Sequence, residues 1–200
     1  MTWTLPNILT VFRLAAAPLV LLAFVLLPRP MADWTALALF IGASVTDYID
    51  GHLARRWDQR TKLGTMLDPI ADKAIVVIAI AALFGHMGFA PLLAIPAAVI
   101  LLREVFVSGL REFLGDTAGT LKVTKLAKWK TMVQMVAISV LLAYGGLQSG
   151  GGATELGNGP TSFAAGTFLY IGLLFLWIAA GLTAITGWDY FSKARPYLKD

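Results

Sequence analysis

The sequence predicts an all-α integral membrane protein of six transmembrane helices with both termini on the cytoplasmic side. Three observations predict it. Of 200 residues, 58% are hydrophobic and 14% are charged, whereas a soluble globular domain carries roughly 25% charged residues. Six apolar runs reach the length of about 20 residues that a helix needs to cross a hydrocarbon core. Finally, with six spans, all of the 16 Lys and Arg residues except Arg29 fall on the side that holds both termini, and basic residues mark the cytoplasmic face.

The runs are placed at 8–27, 34–54, 64–86, 91–112, 129–148 and 163–187. The first has no basic segment ahead of it, is long and contains Arg13, so no cleaved signal peptide is expected. The second and third are joined by the short polar stretch RRWDQRTKL, which makes them antiparallel neighbours. The connections LPRPMADW, GHMGFAP and GLQSGGGATELGNGP lie on the opposite side, the last a Gly-rich, flexible loop. Trp3, Trp34, Trp57, Trp129 and Trp188 sit near helix ends, as interfacial aromatic belts do. No internal repeat, soluble domain or linker divides the chain, so residues 1–200 read as a single membrane domain.

The net charge of +4 reports topology, and no nucleic-acid partner is expected. The chain has no cysteine, which excludes disulfides, thiolate metal sites and cysteine nucleophiles. His52 and His86 have no partner at ligand spacing and are read as incidental.

Against this apolar background, Asp47, Asp50, Asp68 and Asp72 stand near the cytoplasmic ends of the second and third helices. At 100° per residue, Asp47, Asp50, Gly51 and Ala54 share one face, and Gly64, Asp68 and Asp72 repeat every four residues as a single stripe. An ionisable residue at membrane depth costs at least ~2.5 kcal/mol, and clustered carboxylates repel one another. A bound cation resolves both penalties. Oxygen-only ligands suit Mg²⁺, Mn²⁺ or Ca²⁺, and four carboxylates suffice for two ions, an arrangement suited to in-line displacement at phosphorus. Diphosphate chemistry is therefore expected. Glycine costs a helix about 1 kcal/mol relative to alanine, so Gly51 and Gly64 imply close approach of a ligand or another helix.

Written out, D47-x-x-D50-G51-x-x-A54-R55-(x)8-G64-x-x-x-D68-x-x-x-D72 resembles the signature of the CDP-alcohol phosphatidyltransferase family at every fixed position. The segments LPNILTVFRL, REVFVSGLRE and KWKTMVQM are similar to the branch of that family whose acceptor is sn-glycerol 3-phosphate, with Ala127 in place of a glycine and Thr124 where serine is common. The resemblance covers about residues 5–142. It implies six transmembrane helices, a homodimer, and a site with two Mg²⁺ or Mn²⁺ ions that transfers a phosphatidyl group from CDP-diacylglycerol to an alcohol and releases CMP. A bacterial plasma membrane, with the site facing the cytoplasm, fits best.

Carried onto matching positions, the resemblance implies that Asp47, Asp50, Asp68 and Asp72 bind metal, with Asp72 also taking the proton of the acceptor hydroxyl. Asn7, Asp47, Gly51, Ala54, Arg55 and Thr61 would receive CDP-diacylglycerol. The acceptor's own phosphate needs cations, and Arg103, Arg111, Lys125, Lys128 and Lys130 are the candidates, Arg111 and Lys128 foremost. Arg103 and Glu104 have an alternative as partners of each other, and the lysines from 122 to 130 have one as anchors to anionic lipid. Competing functions are a family member using inositol phosphate, serine or phosphatidylglycerol, an intramembrane prenyltransferase, and a divalent-cation transporter. The first shares the metal site. Continuation of the motif through Gly51, Ala54 and Arg55 argues against the second, and basic residues beside the aspartates argue against the third.

Overall fold

A computed structural model describes residues 4–56, 61–115, 125–150 and 163–198; the side chains of residues 48, 50–56, 125, 127, 128 and 150 lie outside this description. The described residues form six long helices: α1 (Leu5–Leu26), α2 (Met31–Arg56), α3 (Lys62–Met87), α4 (Pro91–Leu114), α5 (Lys125–Gly150) and α6 (Phe163–Ala194), followed by a 3-10 turn, Arg195–Leu198. All six expected helices are present, and most run past the expected ends. Several of the extra residues are charged, among them Arg55 and Arg56 on α2 and Lys125 and Lys128 on α5. Apolarity stops at the edge of a hydrocarbon layer, but backbone hydrogen bonding does not, so the helices continue into the polar zone.

Local sequence explains the boundaries. Pro6 lies in the first turn of α1, where its missing N–H has no partner to lose. Thr61 caps α3, its hydroxyl accepting from the Gly64 amide at 3.0 Å, the usual service of a threonine N-cap. Gly88 and Gly115 end α3 and α4 at φ of 69° and 51°, a region that a Cβ disfavours. Pro18, Pro69 and Pro96 lie within α1, α3 and α4, as membrane helices tolerate when neighbours satisfy the freed carbonyls.

By their contacts the residues fall into two compact units, one within Met1–Gly88 and Ile138–Leu169, the other within Phe89–Ala137 and Tyr170–Asp200. In the first, α1 packs along both α2 and α3, while α2 and α3 touch each other little among the described residues. Among the described residues, the two acidic helices are therefore joined chiefly through α1. Small residues permit the packing: Ala16, Ala17 and Ala23 of α1, Ala32, Ala36 and Ala43 of α2, and Ala71 and Ala79 of α3 are all buried. Leu19, Leu22, Val25, Ile41, Val45, Ile70 and Val77 point outward. Small residues inside and large apolar residues outside are the pattern of helices packed in lipid.

Far from the aspartate motif along α2 and α3, the first unit buries another polar group. Asp33 is fully buried, accepts from Arg29 at 3.0 and 2.5 Å, and receives the Ser149 hydroxyl at 3.3 Å. A Cβ on Gly145 would lie 2.5 Å from Asp33 Oδ1 and 2.9 Å from His86 Nε2, and one on Gly146 would meet the Trp34 ring at 2.7 Å. The paired glycines of α5 thus admit these side chains. Arg29 is the counter-charge of the buried Asp33.

In the second unit, Val107, Leu110 and Leu114 of α4 pack with Tyr190 and Ala194 of α6, and the Trp177 indole donates to the Leu92 carbonyl at 3.0 Å. Among the described residues, four helical segments are long and apolar enough to cross a membrane: Leu5–Leu26, Pro91–Leu114, Trp129–Ser149 and Phe163–Leu198. They belong to α1, α4, α5 and α6; α2 and α3 are the helices that carry the aspartates.

Candidate active site

The site is organised from α1. Asn7, Thr10 and Arg13 recur every third residue of this apolar helix, and all three are buried. Asn7 faces the start of α3, where its Oδ1 accepts from the Thr61 hydroxyl at 2.8 Å. The approach is close enough that a Cβ on Gly64 would stand 2.7 Å from Asn7 Oδ1 and 3.3 Å from Thr61 Oγ1. Helix-to-helix contact therefore accounts for Gly64. Gly64→Val is expected to lower stability by about 2–3 kcal/mol, because overpacking adds to the broken Asn7–Thr61 bond; thermal unfolding in detergent measures it.

One turn along each helix, Thr10 Oγ1 lies 2.7 Å from Asp68 Oδ1 and 3.0 Å from the Pro6 carbonyl. The hydroxyl has one proton, and the shorter contact to a carboxylate takes it. A further turn on, Arg13 reaches both acidic helices. Its Nη1 donates to Asp47 Oδ1 of α2 and to Asp72 Oδ1 of α3, and its Nη2 lies 3.5 Å from Asp68 Oδ1. The Arg13 side chain is 1% exposed, while those of Asp47, Asp68 and Asp72 are 40%, 51% and 47% exposed. The guanidinium is thus sealed beneath carboxylates that remain open on their other side.

Electrostatics explains the need for Arg13. Two carboxylates about 4 Å apart repel by roughly 4 kcal/mol at an effective dielectric constant near 20, and three converge here. Among the described residues, no group of three acidic or histidine side chains stands arranged around a vacant metal position; Arg13 bonds the carboxylates instead. The donor set nevertheless fits a hard divalent cation. Oxygen atoms of two helices already meet at one positively charged nitrogen, and the exposed sides of the three carboxylates admit solvent. Asp50 lies one turn beyond Asp47 on α2, its side chain outside the described residues.

The profile of the CDP-alcohol phosphatidyltransferase family matches residues 3–188, nearly the whole chain. The chain belongs to the CDP-alcohol phosphatidyltransferase family. Several relatives carry the name CDP-diacylglycerol–glycerol-3-phosphate 3-phosphatidyltransferase. The Cereibacter sphaeroides protein is 53% identical, over 100% of this chain and 99% of its own. That of Rickettsia bellii is 40% identical over 96% of both chains, and that of Shigella flexneri 34% identical over 100% of both.

Of the family motif, Asp47, Asp68 and Asp72 come together, with Asn7 and Thr61 paired beside them. Asp50, Gly51, Ala54 and Arg55 lie on the last turns of α2, with side chains outside the described residues, as are those of Lys125 and Lys128 on α5. Within the second unit, Glu104 engages two of the cations expected for the acceptor phosphate: Arg103 donates to it at 3.2 Å and Lys130 at 2.5 Å. Arg111 is exposed, with its guanidinium 5.3 Å from the centre of the Tyr190 ring. Sequence reasoning missed Thr10 and Arg13. The available signal was a run of polar residues at a spacing of three within an apolar helix, and an intramembrane arginine by itself marks a functional site.

Proposed function

We propose that this CDP-alcohol phosphatidyltransferase moves the phosphatidyl group of CDP-diacylglycerol to sn-glycerol 3-phosphate, giving phosphatidylglycerophosphate and CMP. The observation that carries the reading is the convergence of Asp47, Asp68 and Asp72 beneath an open face, in a chain whose relatives are named for this reaction. Asp47, Asp50, Asp68 and Asp72 would hold two divalent ions, Mg²⁺ or Mn²⁺. Such ions supply neutralisation of the diphosphate and of the charge that develops on the departing CMP.

The chain's own residues do the rest. Asp72 takes the proton from the acceptor hydroxyl, whose oxygen attacks the phosphorus bearing diacylglycerol as the bond from that phosphorus to CMP breaks. No covalent intermediate with the enzyme is needed. Asn7, Asp47, Gly51, Ala54, Arg55 and Thr61 receive the cytidine diphosphate moiety, small residues giving room and Arg55 and Thr61 offering donors. Arg111 is the foremost acceptor-phosphate ligand together with Lys128, since Arg103 and Lys130 are both engaged by Glu104. We further propose six spans with both termini cytoplasmic, the site facing the cytoplasm of a bacterial plasma membrane, and a homodimer acting as one catalytic domain per chain.

Arg111→Ala is expected to raise the KM for glycerol 3-phosphate by about 10–100-fold, the worth of a charge-assisted hydrogen bond, with the KM for CDP-diacylglycerol unchanged. Arg103→Ala is expected to lower stability instead. Incubation with CDP-diacylglycerol and radiolabelled glycerol 3-phosphate tests the function itself. Label entering a lipid that comigrates with phosphatidylglycerophosphate, in step with CMP release, is the expected outcome; metal flux into sealed vesicles without CMP release would replace this reading with transport.

A further inference from the structure

The mechanism above assigns no task to Arg13, yet Arg13 has more contacts with the reactive carboxylates than any other described residue. Its burial is near complete, so it cannot swing out to greet a substrate as a surface arginine can. It meets all three carboxylates through their Oδ1 atoms and from the protein side. Lysine could make a point contact there, but the planar fork of arginine places separate N–H groups toward carboxylates on two helices.

We infer that Arg13 is a resident counter-cation of the aspartate cluster, a positioning residue that holds the carboxylates of α2 and α3 together and sets how strongly the site attracts divalent ions. Resting on the proposed metal-dependent transfer, the inference adds a tuning element to it. One fixed positive charge beneath the carboxylates offsets part of their repulsion, so the cluster stays converged without ions. The same charge repels incoming divalent ions, so they bind weakly enough to exchange.

Two effects of removing Arg13 oppose each other. Losing the charge strengthens the attraction for a divalent ion, and losing the hydrogen bonds loosens the ligands. The charge effect dominates, because a guanidinium in contact with two ligand oxygens lies within a few ångströms of any ion those carboxylates hold, where Coulomb interactions are least screened. Arg13→Gln should therefore bind ions more tightly, and Arg13→Lys, which keeps the charge, should resemble the parent.

The test is Mn²⁺ binding to the full-length protein in detergent, read by electron paramagnetic resonance of the free ion, together with thermal unfolding in EDTA and in Mn²⁺. The expected results are a Kd at least about 10-fold lower for Arg13→Gln, a lower Tm in EDTA that Mn²⁺ raises by more than it does in the parent, and a Kd within about 3-fold of the parent for Arg13→Lys. An Arg13→Gln protein that unfolds more easily but binds Mn²⁺ no more tightly would overturn the inference, reducing Arg13 to a packing element. Should Arg13→Gln not fold, a Kd for Arg13→Lys shifted by more than 10-fold would overturn it as well. Absence of Mn²⁺ binding by the parent protein would instead sink the metal-dependent reading on which the inference rests.

Discussion

Asp72→Asn is expected to lower CMP release by about 10²–10⁴-fold, the range that a positioned general base contributes, with further loss from removal of an ionic ligand. Asparagine keeps the shape and an oxygen that can still accept from Arg13 Nη1, the atom that Asp72 now shares with Asp47. Local packing should survive, and expression, elution volume and thermal unfolding in EDTA should match the parent closely. Initial rates at saturating CDP-diacylglycerol check the first statement. Retention of more than a tenth of the parent rate would remove Asp72 from the role of base and leave it a supporting ligand at most. Asp68→Asn, by contrast, disturbs the carboxylate that Thr10 and Arg13 both hold, so some loss of stability should accompany its loss of rate.

Removal of divalent ions is the second large effect. Chelation by excess EDTA is expected to reduce turnover by about 10³-fold or more, since metal stabilisation of a phosphoryl-transfer transition state is worth several kcal/mol. Mg²⁺ or Mn²⁺ should restore it. Chelated protein should nonetheless remain folded, because Arg13 offsets part of the repulsion among the carboxylates and hydrogen-bonds them in place. Reversible loss of rate with unchanged elution volume is the signature to look for, and full activity in EDTA would exclude the ion-dependent mechanism.

The sequence disclosed the acidic half of this site more readily than the basic half. Asp47 and Asp50, and then Gly64, Asp68 and Asp72, recur at helical spacing among apolar neighbours, and periodicity alone puts each set on one face. Their meeting place was not legible. It depends on α1, whose Arg13 counts in sequence as one more residue of the basic side and in the structure joins α2 to α3. Gly64 shows the same limit: its spacing signals close approach, but only packing identifies Asn7 as the neighbour.

The helices themselves were easier, because about 20 apolar residues leave few alternatives to a spanning helix. Their ends were not, since Lys125, Lys128, Asp189 and Lys193 interrupt the apolar runs, so that a hydropathy reading cuts these turns away while backbone hydrogen bonding keeps them. Long-range charge pairing was the least visible feature. Nothing near Lys130 in sequence announces Glu104, and nothing near Asp33 announces Ser149, because these pairs are made by packing between helices.

The most direct measurement is CMP release by the purified protein from CDP-diacylglycerol and Mg²⁺, with glycerol 3-phosphate, inositol phosphate, serine and phosphatidylglycerol offered side by side as acceptors. Turnover with glycerol 3-phosphate and with none of the other three is the result this account predicts. Turnover confined to another acceptor would contradict the assigned reaction while leaving the aspartate cluster its role, and no turnover with any acceptor would contradict the account at its centre.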